Sequence, residues 1–119
     1  MLFVDDEVSI TSTIRKGLER YGYLVDTFNE ADKAIAYFKP RYYDLIILDV
    51  RMPGRSGFEL AKLIWALDPQ ARICFMSAFE ILENEARKVF SSFKTFCFIK
   101  KPISTNALAQ HIEPHFVKA

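Results

Sequence analysis

The chain has 119 residues, half of them hydrophobic and 26% charged, with a formal net charge of +1, a size and balance that suit one globular domain, expected over 1–119, with a single good core. No apolar stretch approaches the roughly 20 residues of a membrane span, and without a basic run nothing demands a nucleic-acid surface. The apolar start, Met1 to Val4, is too short for a signal peptide and lacks a basic leader, so a cytoplasmic location is expected.

Residues 1–5 read as a buried strand, β1. Val8 to Tyr21 places Ile10, Ile14, Leu18 and Tyr21 along one helical stripe, α1, and Gly22 is a fitting stop just past its end. Leu24 to Phe28 is a short second strand, β2. Asn29 can cap a helix, α2, running to about Phe38 with Ala31, Ala34, Ile35 and Phe38 facing inward, and Pro40 ends it. Asp44 to Asp49 is a continuous apolar strand with an acid at each end, β3, as expected of a parallel strand buried on both faces. Val50 to Gly57 is a loop, punctuated by Met52-Pro-Gly54 and Ser56-Gly57. A helix, α3, follows through about Leu67, burying Phe58, Ala61, Ile64 and Trp65, and Pro69 marks the next break. Ala71 to Met76 is a fourth strand, β4. Residues 79–93 read as a helix, α4, with Leu82, Ala86, Val89 and Phe90 on one side. Phe96 to Ile99 is the fifth strand, β5. Ser104 can cap a last helix, α5, carrying Leu108 and Ile112, which Pro114 limits. Five β-α pairs in succession predict an α/β fold, a doubly wound parallel sheet with helices on both faces, because right-handed crossovers distribute them so.

Cys74 and Cys97 both fall inside apolar strands. They read as two buried thiols acting as small hydrophobes. They lack CxxC spacing and a neighbouring histidine or third cysteine, so zinc is not indicated, and they fit a reducing cytosol.

The chemistry lies at strand ends. Asp5 and Asp6 close β1, Asp49 closes β3, Ser77 closes β4, and Lys101, followed by Pro102, closes β5. In an open parallel sheet the loops at the carboxyl ends of strands form the functional crevice, so these residues are expected to meet. Three carboxylates suit a hard cation such as Mg2+, which takes one or two of them and fills its octahedron with water and phosphate oxygens. Such an ion offsets the repulsion between a carboxylate nucleophile and an anionic phosphoryl donor. Lys101 supplies a point charge for the phosphoryl oxygens, and Ser77 a hydroxyl. Glu7 reads as a helix-start acid favoured by the dipole.

Val4-Asp-Asp-Glu7, Asp49-Val-Arg-Met-Pro-Gly54, Ser77-Ala78 and Lys101-Pro102 together resemble the receiver domains of two-component response regulators, over essentially the whole chain. The resemblance implies a flavodoxin-like sheet of order 2-1-3-4-5 and a phosphorylation-driven switch. It implies Asp49 as phosphoacceptor, Asp5 and Asp6 with Asp49 and the Arg51 backbone carbonyl around Mg2+, and Lys101 and Ser77 on the phosphoryl group. Phe98 matches the switch aromatic, and a cis bond is expected before Pro102. A histidine kinase or phosphotransfer protein is the implied donor. The face made by α4, β5 and α5, where Phe93, Phe96 and Phe98 cluster, is the implied surface for an output domain, a partner protein or a second copy. The domain itself is expected to touch neither nucleic acid nor membrane, and to catalyse only its own phosphorylation and dephosphorylation.

Two departures stand out. Phe93-Lys-Thr95 replaces the Gly-Ala common before the last strand, and Phe79 and Arg51 occupy positions that tune phosphoryl lifetime in the family. A bulky ring beside a cation restricts attacking water, which favours a long-lived phosphoryl group. Two rival readings are a receiver-like interaction module that does not use phosphate and a metal-dependent phosphatase. The first would lack an acid or the lysine; the second would carry an acid two residues after its nucleophile, where this chain has Arg51.

Overall fold

The computed structural model describes residues 1–78 and 97–115. Five parallel strands form one sheet in the order β2-β1-β3-β4-β5. They are β1 (Leu2–Val4), β2 (Asp26–Phe28), β3 (Ile46–Asp49), β4 (Ile73–Ser77) and β5 (Cys97–Lys100). The helices are α1 (Val8–Arg20), α2 (Ala31–Ala36), α3 (Gly57–Leu67) and α5 (Thr105–Ile112), which runs into a 3-10 turn at Glu113–His115. This is the doubly wound architecture expected from the β-α alternation, in the flavodoxin-like strand order that the resemblance implied. The helix expected as α4, and with it Phe79, Phe93 and Phe96, lies outside the described residues.

Alternation along each strand builds two apolar layers. Leu2, Val4, Ile46, Leu48, Ile73 and Phe75 face α2 and α3, where Ala34, Leu60, Ile64 and Trp65 meet them. Phe3, Ile47, Met76 and Ile99 face α1 and α5, where Ile14, Leu18, Leu108 and Ile112 meet them. The strands are apolar on both faces because both faces are covered.

Helix ends follow local chemistry. Gly22, at φ +91°, takes the left-handed position that closes α1. Its N–H bonds the Glu19 carbonyl and the Tyr23 N–H reaches Leu18, so two terminal carbonyls are satisfied. At α3, Ser56 accepts from the Glu59 N–H while the Glu59 carboxylate accepts from the Ser56 N–H, a complete capping box. Ser104 caps α5 by accepting from the Ala107 N–H. In the middle of α1, Gly17 lets α5 approach: a Cβ there would collide with the side chain of Thr105.

Some sequence expectations need correction. Asn29 does not cap α2; the N-cap is Glu30, without a side-chain cap bond, because the Asn29 amide is engaged elsewhere. Tyr21, though on the stripe of α1, is exposed, and Leu24 stands outside β2 at 84% exposure. Phe58 is only half buried, packed edge-on against Phe75. The cysteines are not free thiols. Cys74 and Cys97 are direct register partners on β4 and β5, their Cα atoms 4.4 Å apart, and they form a disulfide. At a sequence separation of 23, they carried no sequence signal of adjacency; only the strand register brings them together.

Candidate metal and phosphoryl site

The carboxyl ends of β1, β3, β4 and β5 converge as the strand order requires. Asp5 is fully buried and Asp49 is 5% exposed, while Asp6 is the more open of the pair after β1. One carboxylate oxygen from each of Asp5, Asp6 and Asp49 lies within 4.8 Å of the others. The Lys101 ammonium sits between two of them, 2.9 Å from Asp5 Oδ2 and 3.2 Å from Asp49 Oδ1.

Each side chain is held by backbone geometry. The Asp5 N–H bonds the Phe28 carbonyl at 3.1 Å, continuing the β1–β2 ladder. The Glu7 N–H donates to Asp5 Oδ1 at 3.0 Å, which fixes that carboxylate against the start of α1. Asn29 donates to the Asp5 carbonyl at 2.8 Å and to Thr11 Oγ1 at 3.0 Å, and Thr11 donates to the Val8 carbonyl at 3.1 Å. The turn bearing both acids is thus tied from behind to β2 and α1. At β3, the Val50 N–H bonds Met76 at 3.0 Å and the Gly57 N–H bonds Val50 at 2.8 Å. A Cβ on Gly57 would strike the Asp49 carbonyl oxygen, so only glycine lets α3 begin this close beneath the nucleophile candidate. The Lys101 N–H donates to the Ser77 carbonyl at 2.9 Å, and the Lys101–Pro102 bond is cis, as the resemblance implies.

Burial, and then the neighbouring Asp5, push the Asp49 carboxyl up to about 6, against the opposing pull of Lys101. For Lys101, burial disfavours the ammonium, but the carboxylates of Asp5 and Asp49 outweigh it and raise its pKa above the ordinary lysine value. Three acids against one ammonium leave an excess of negative charge when all are ionised. Asp5 Oδ2 is buried and meets the Lys101 ammonium as an ion pair. An all-oxygen donor set whose negative charge exceeds that of the one ammonium beside it fits a hard dication. The three carboxylates stand close enough together to be the residues that would hold one such ion.

Of the residues singled out in the sequence, Asp5, Asp6, Asp49 and Lys101 come together. Ser77 is buried at the end of β4, with Lys100 as register partner, and its carbonyl anchors Lys101. Arg51 is exposed in the loop after β3. Phe98 lies away from the cluster, half buried with its ring 5.5 Å from that of Phe75. Sequence reasoning missed the support given by Asn29, Thr11 and Gly57. A polar residue directly after β2, the strand beside β1, was the available signal for Asn29.

Residues 1–113 match the family model described as the response regulator receiver domain. The transcriptional regulatory protein YvrH of Bacillus subtilis is 38% identical over 97% of this chain and 48% of its own length. ResD of the same organism is 44% identical over 54% of this chain and 27% of its own. The chain thus spans about half or less of the curated relatives it matches. Among solved structures, the Vibrio cholerae chemotaxis protein CheY4 superposes with a TM-score of 0.84 at 25% identity, covering 97% of this chain and 96% of that one. The Thermotoga maritima response regulator TrrA, solved in complex with Mg(2+)-BeF, gives 0.79 at 30% identity, covering 97% and 96%. The chain belongs to the response regulator receiver domain family of two-component systems.

Proposed function

We propose that this domain is a phosphorylation-driven switch that accepts a phosphoryl group on Asp49 from a histidine kinase or phosphotransfer protein. The observation that carries the reading is the Lys101 ammonium held between Asp5 and Asp49 at the ends of three different strands. Asp5, Asp6, Asp49 and the Arg51 carbonyl are the residues to hold Mg2+, which when bound supplies positive charge to the donor phosphoryl oxygens. An Asp49 oxygen attacks phosphorus in line with the donor's leaving atom, whose bond to phosphorus breaks. Lys101 then pairs with a phosphoryl oxygen, and Ser77 turns its hydroxyl toward the same group. The added charge of about −1.5 to −2 biases Phe98 and the α4–β5–α5 face toward a second arrangement that a partner reads. The whole of 1–119 acts as one receiver domain in the cytoplasm, its partner being an output domain, a separate protein or a second copy. It performs no turnover beyond its own phosphorylation and dephosphorylation. The relatives named as transcriptional regulators make a DNA-binding output the first partner to seek.

The test is intact mass after incubation with acetyl phosphate, with Mg2+ or with EDTA, for the wild type and Asp49→Asn. One added phosphoryl that requires Mg2+ and Asp49 is expected. No addition to a folded wild type overturns the reading and leaves an interaction module.

A further inference from the structure

The disulfide has a particular place in this fold. β5 is the edge strand of the sheet and takes its ladder bonds from β4 alone among the described residues. Cys74 and Cys97 join these two strands at one register position, and both belong to the layer beneath α1 and α5. Beyond the bond, both strands run into the site. Ser77 ends β4, and Lys101 follows β5, with the Lys101 N–H on the Ser77 carbonyl. Phe98 follows Cys97 directly and packs on the other face against Phe75. Cys74 is fully buried, whereas Cys97 is only partly so. Of the two residues, Cys97 is therefore the more accessible to a soluble reactant.

We propose that Cys74–Cys97 is a reversible thiol–disulfide exchange site that sets how firmly the strand carrying Phe98 and Lys101 is held. Its reactant is a low-molecular-weight thiol and the corresponding disulfide. A thiolate attacks Sγ of Cys97, the bond to Cys74 breaks, and the Cys74 sulfur leaves with the electron pair and takes up a proton. A second thiolate attacks the outer sulfur of the mixed disulfide, releasing Cys97 as a thiolate that is protonated in turn. The protein gains two electrons and two protons, and two small thiols become one disulfide. The bond joins a fully buried cysteine to a more open one, so one of its two ends is within reach of exchange. The oxidised form keeps the edge strand locked to β4, with Lys101 delivered to Asp5 and Asp49. The reduced form leaves β5 to its backbone bonds. The effect on phosphorylation rests on the function proposed above; the exchange site itself does not.

The experiment equilibrates the wild type in glutathione buffers from reducing to oxidising. It counts alkylated thiols by intact mass and follows amide exchange of residues 97–101 and the rate of modification by acetyl phosphate with Mg2+. No alkylation in oxidising buffer and two alkylations in reducing buffer are expected. Reduction should speed amide exchange in β5 by about tenfold and slow phosphorylation by about fivefold. Cys97→Ser, at the more open position, should show neither redox effect; Cys74→Ala serves if that variant does not fold. Two alkylatable thiols throughout the series, or unchanged β5 exchange in fully reduced protein, overturns the proposal. Absence of phosphorylation in both redox forms overturns the receiver chemistry instead, while the thiol count and amide exchange still decide the exchange site.

Discussion

The Asp49 carboxyl is the residue on which the fold spends stability. Its folded pKa of about 6 lies above the ordinary 3.8 because it is buried beside Asp5. Between those values the folded chain holds a proton that the unfolded chain has released, so stability falls as pH rises through that window. Asp49→Asn removes the penalty. In EDTA at pH 7 this variant should be more stable than the wild type by roughly 1–2 kcal/mol, the full shift being discounted for residual solvent screening. The gap should close by pH 4, and urea unfolding at the two pH values reads it; a gap independent of pH would mean that Asp49 is not strained by burial. Asn29 acts from behind the same site. Asn29→Ala leaves the Asp5 carbonyl and the Thr11 hydroxyl without their shared donor. Support of this kind around metal ligands is worth about tenfold in metal affinity, and a Mg2+ titration of the variant should show that loss. Unchanged affinity would reduce Asn29 to a loop staple. The acids and the lysine were legible in the sequence because residue type and strand-end position sufficed to select them. Asn29 was not, since an asparagine before a helix has the same appearance whether its amide caps that helix or crosses to a neighbouring turn.

Elements announced their cores more clearly than their edges. Apolar runs such as Leu45 to Leu48 marked strand interiors, and the stripe through Ile14 and Leu18 marked the buried face of α1. Strand ends depend on where ladder bonds stop, which is set by the neighbour and not by the strand itself. Leu24 is apolar yet falls outside β2 because the β1 partner begins opposite Asp26. The disulfide was hidden for the same reason: register between β4 and β5 is a property of the pair. Capping was legible at α5, where Ser104 was read as the cap, whereas the reciprocal box of Ser56 and Glu59 at α3 passed as loop punctuation. Ser56→Ala should cost about 1 kcal/mol, measured by denaturant unfolding, and because this cap stands just before Gly57 it should also loosen the backbone under Asp49. A Ser56→Asp variant keeps an acceptor at the cap and should retain most of the stability; if it loses as much as alanine, the cap bond is not the source.

At the scale of the whole molecule, Lys101 closes the sheet over its own functional end. It leaves the edge strand, passes the end of β4, and contacts Asp5 after β1 and Asp49 at the end of β3. The site is therefore also a fastening between strands that do not pair. The β-α alternation made the sheet and its covering helices legible, since each buried strand needs helices on both sides. The strand order came with the resemblance. The double contact of the ammonium was not legible, because it depends on how far the chain after β5 travels back across the sheet. Lys101→Met removes the charge while keeping much of the apolar stem. It leaves Asp5 buried without its cation, and breaking a buried pair of this kind costs about 3 kcal/mol or somewhat less where the lysine is partly solvated. In EDTA the variant should unfold at lower urea than the wild type by that margin. Mg2+ should recover part of the difference by binding the same carboxylates, contributing about 1.4 kcal/mol at ten times its dissociation constant. Recovery that persists in Lys101→Met but vanishes when Asp5→Asn is added would assign the compensation to the acid cluster. Equal stability of Lys101→Met and wild type in EDTA would instead show that the strands hold their relative positions without this fastening, and that Lys101 serves the phosphoryl chemistry alone.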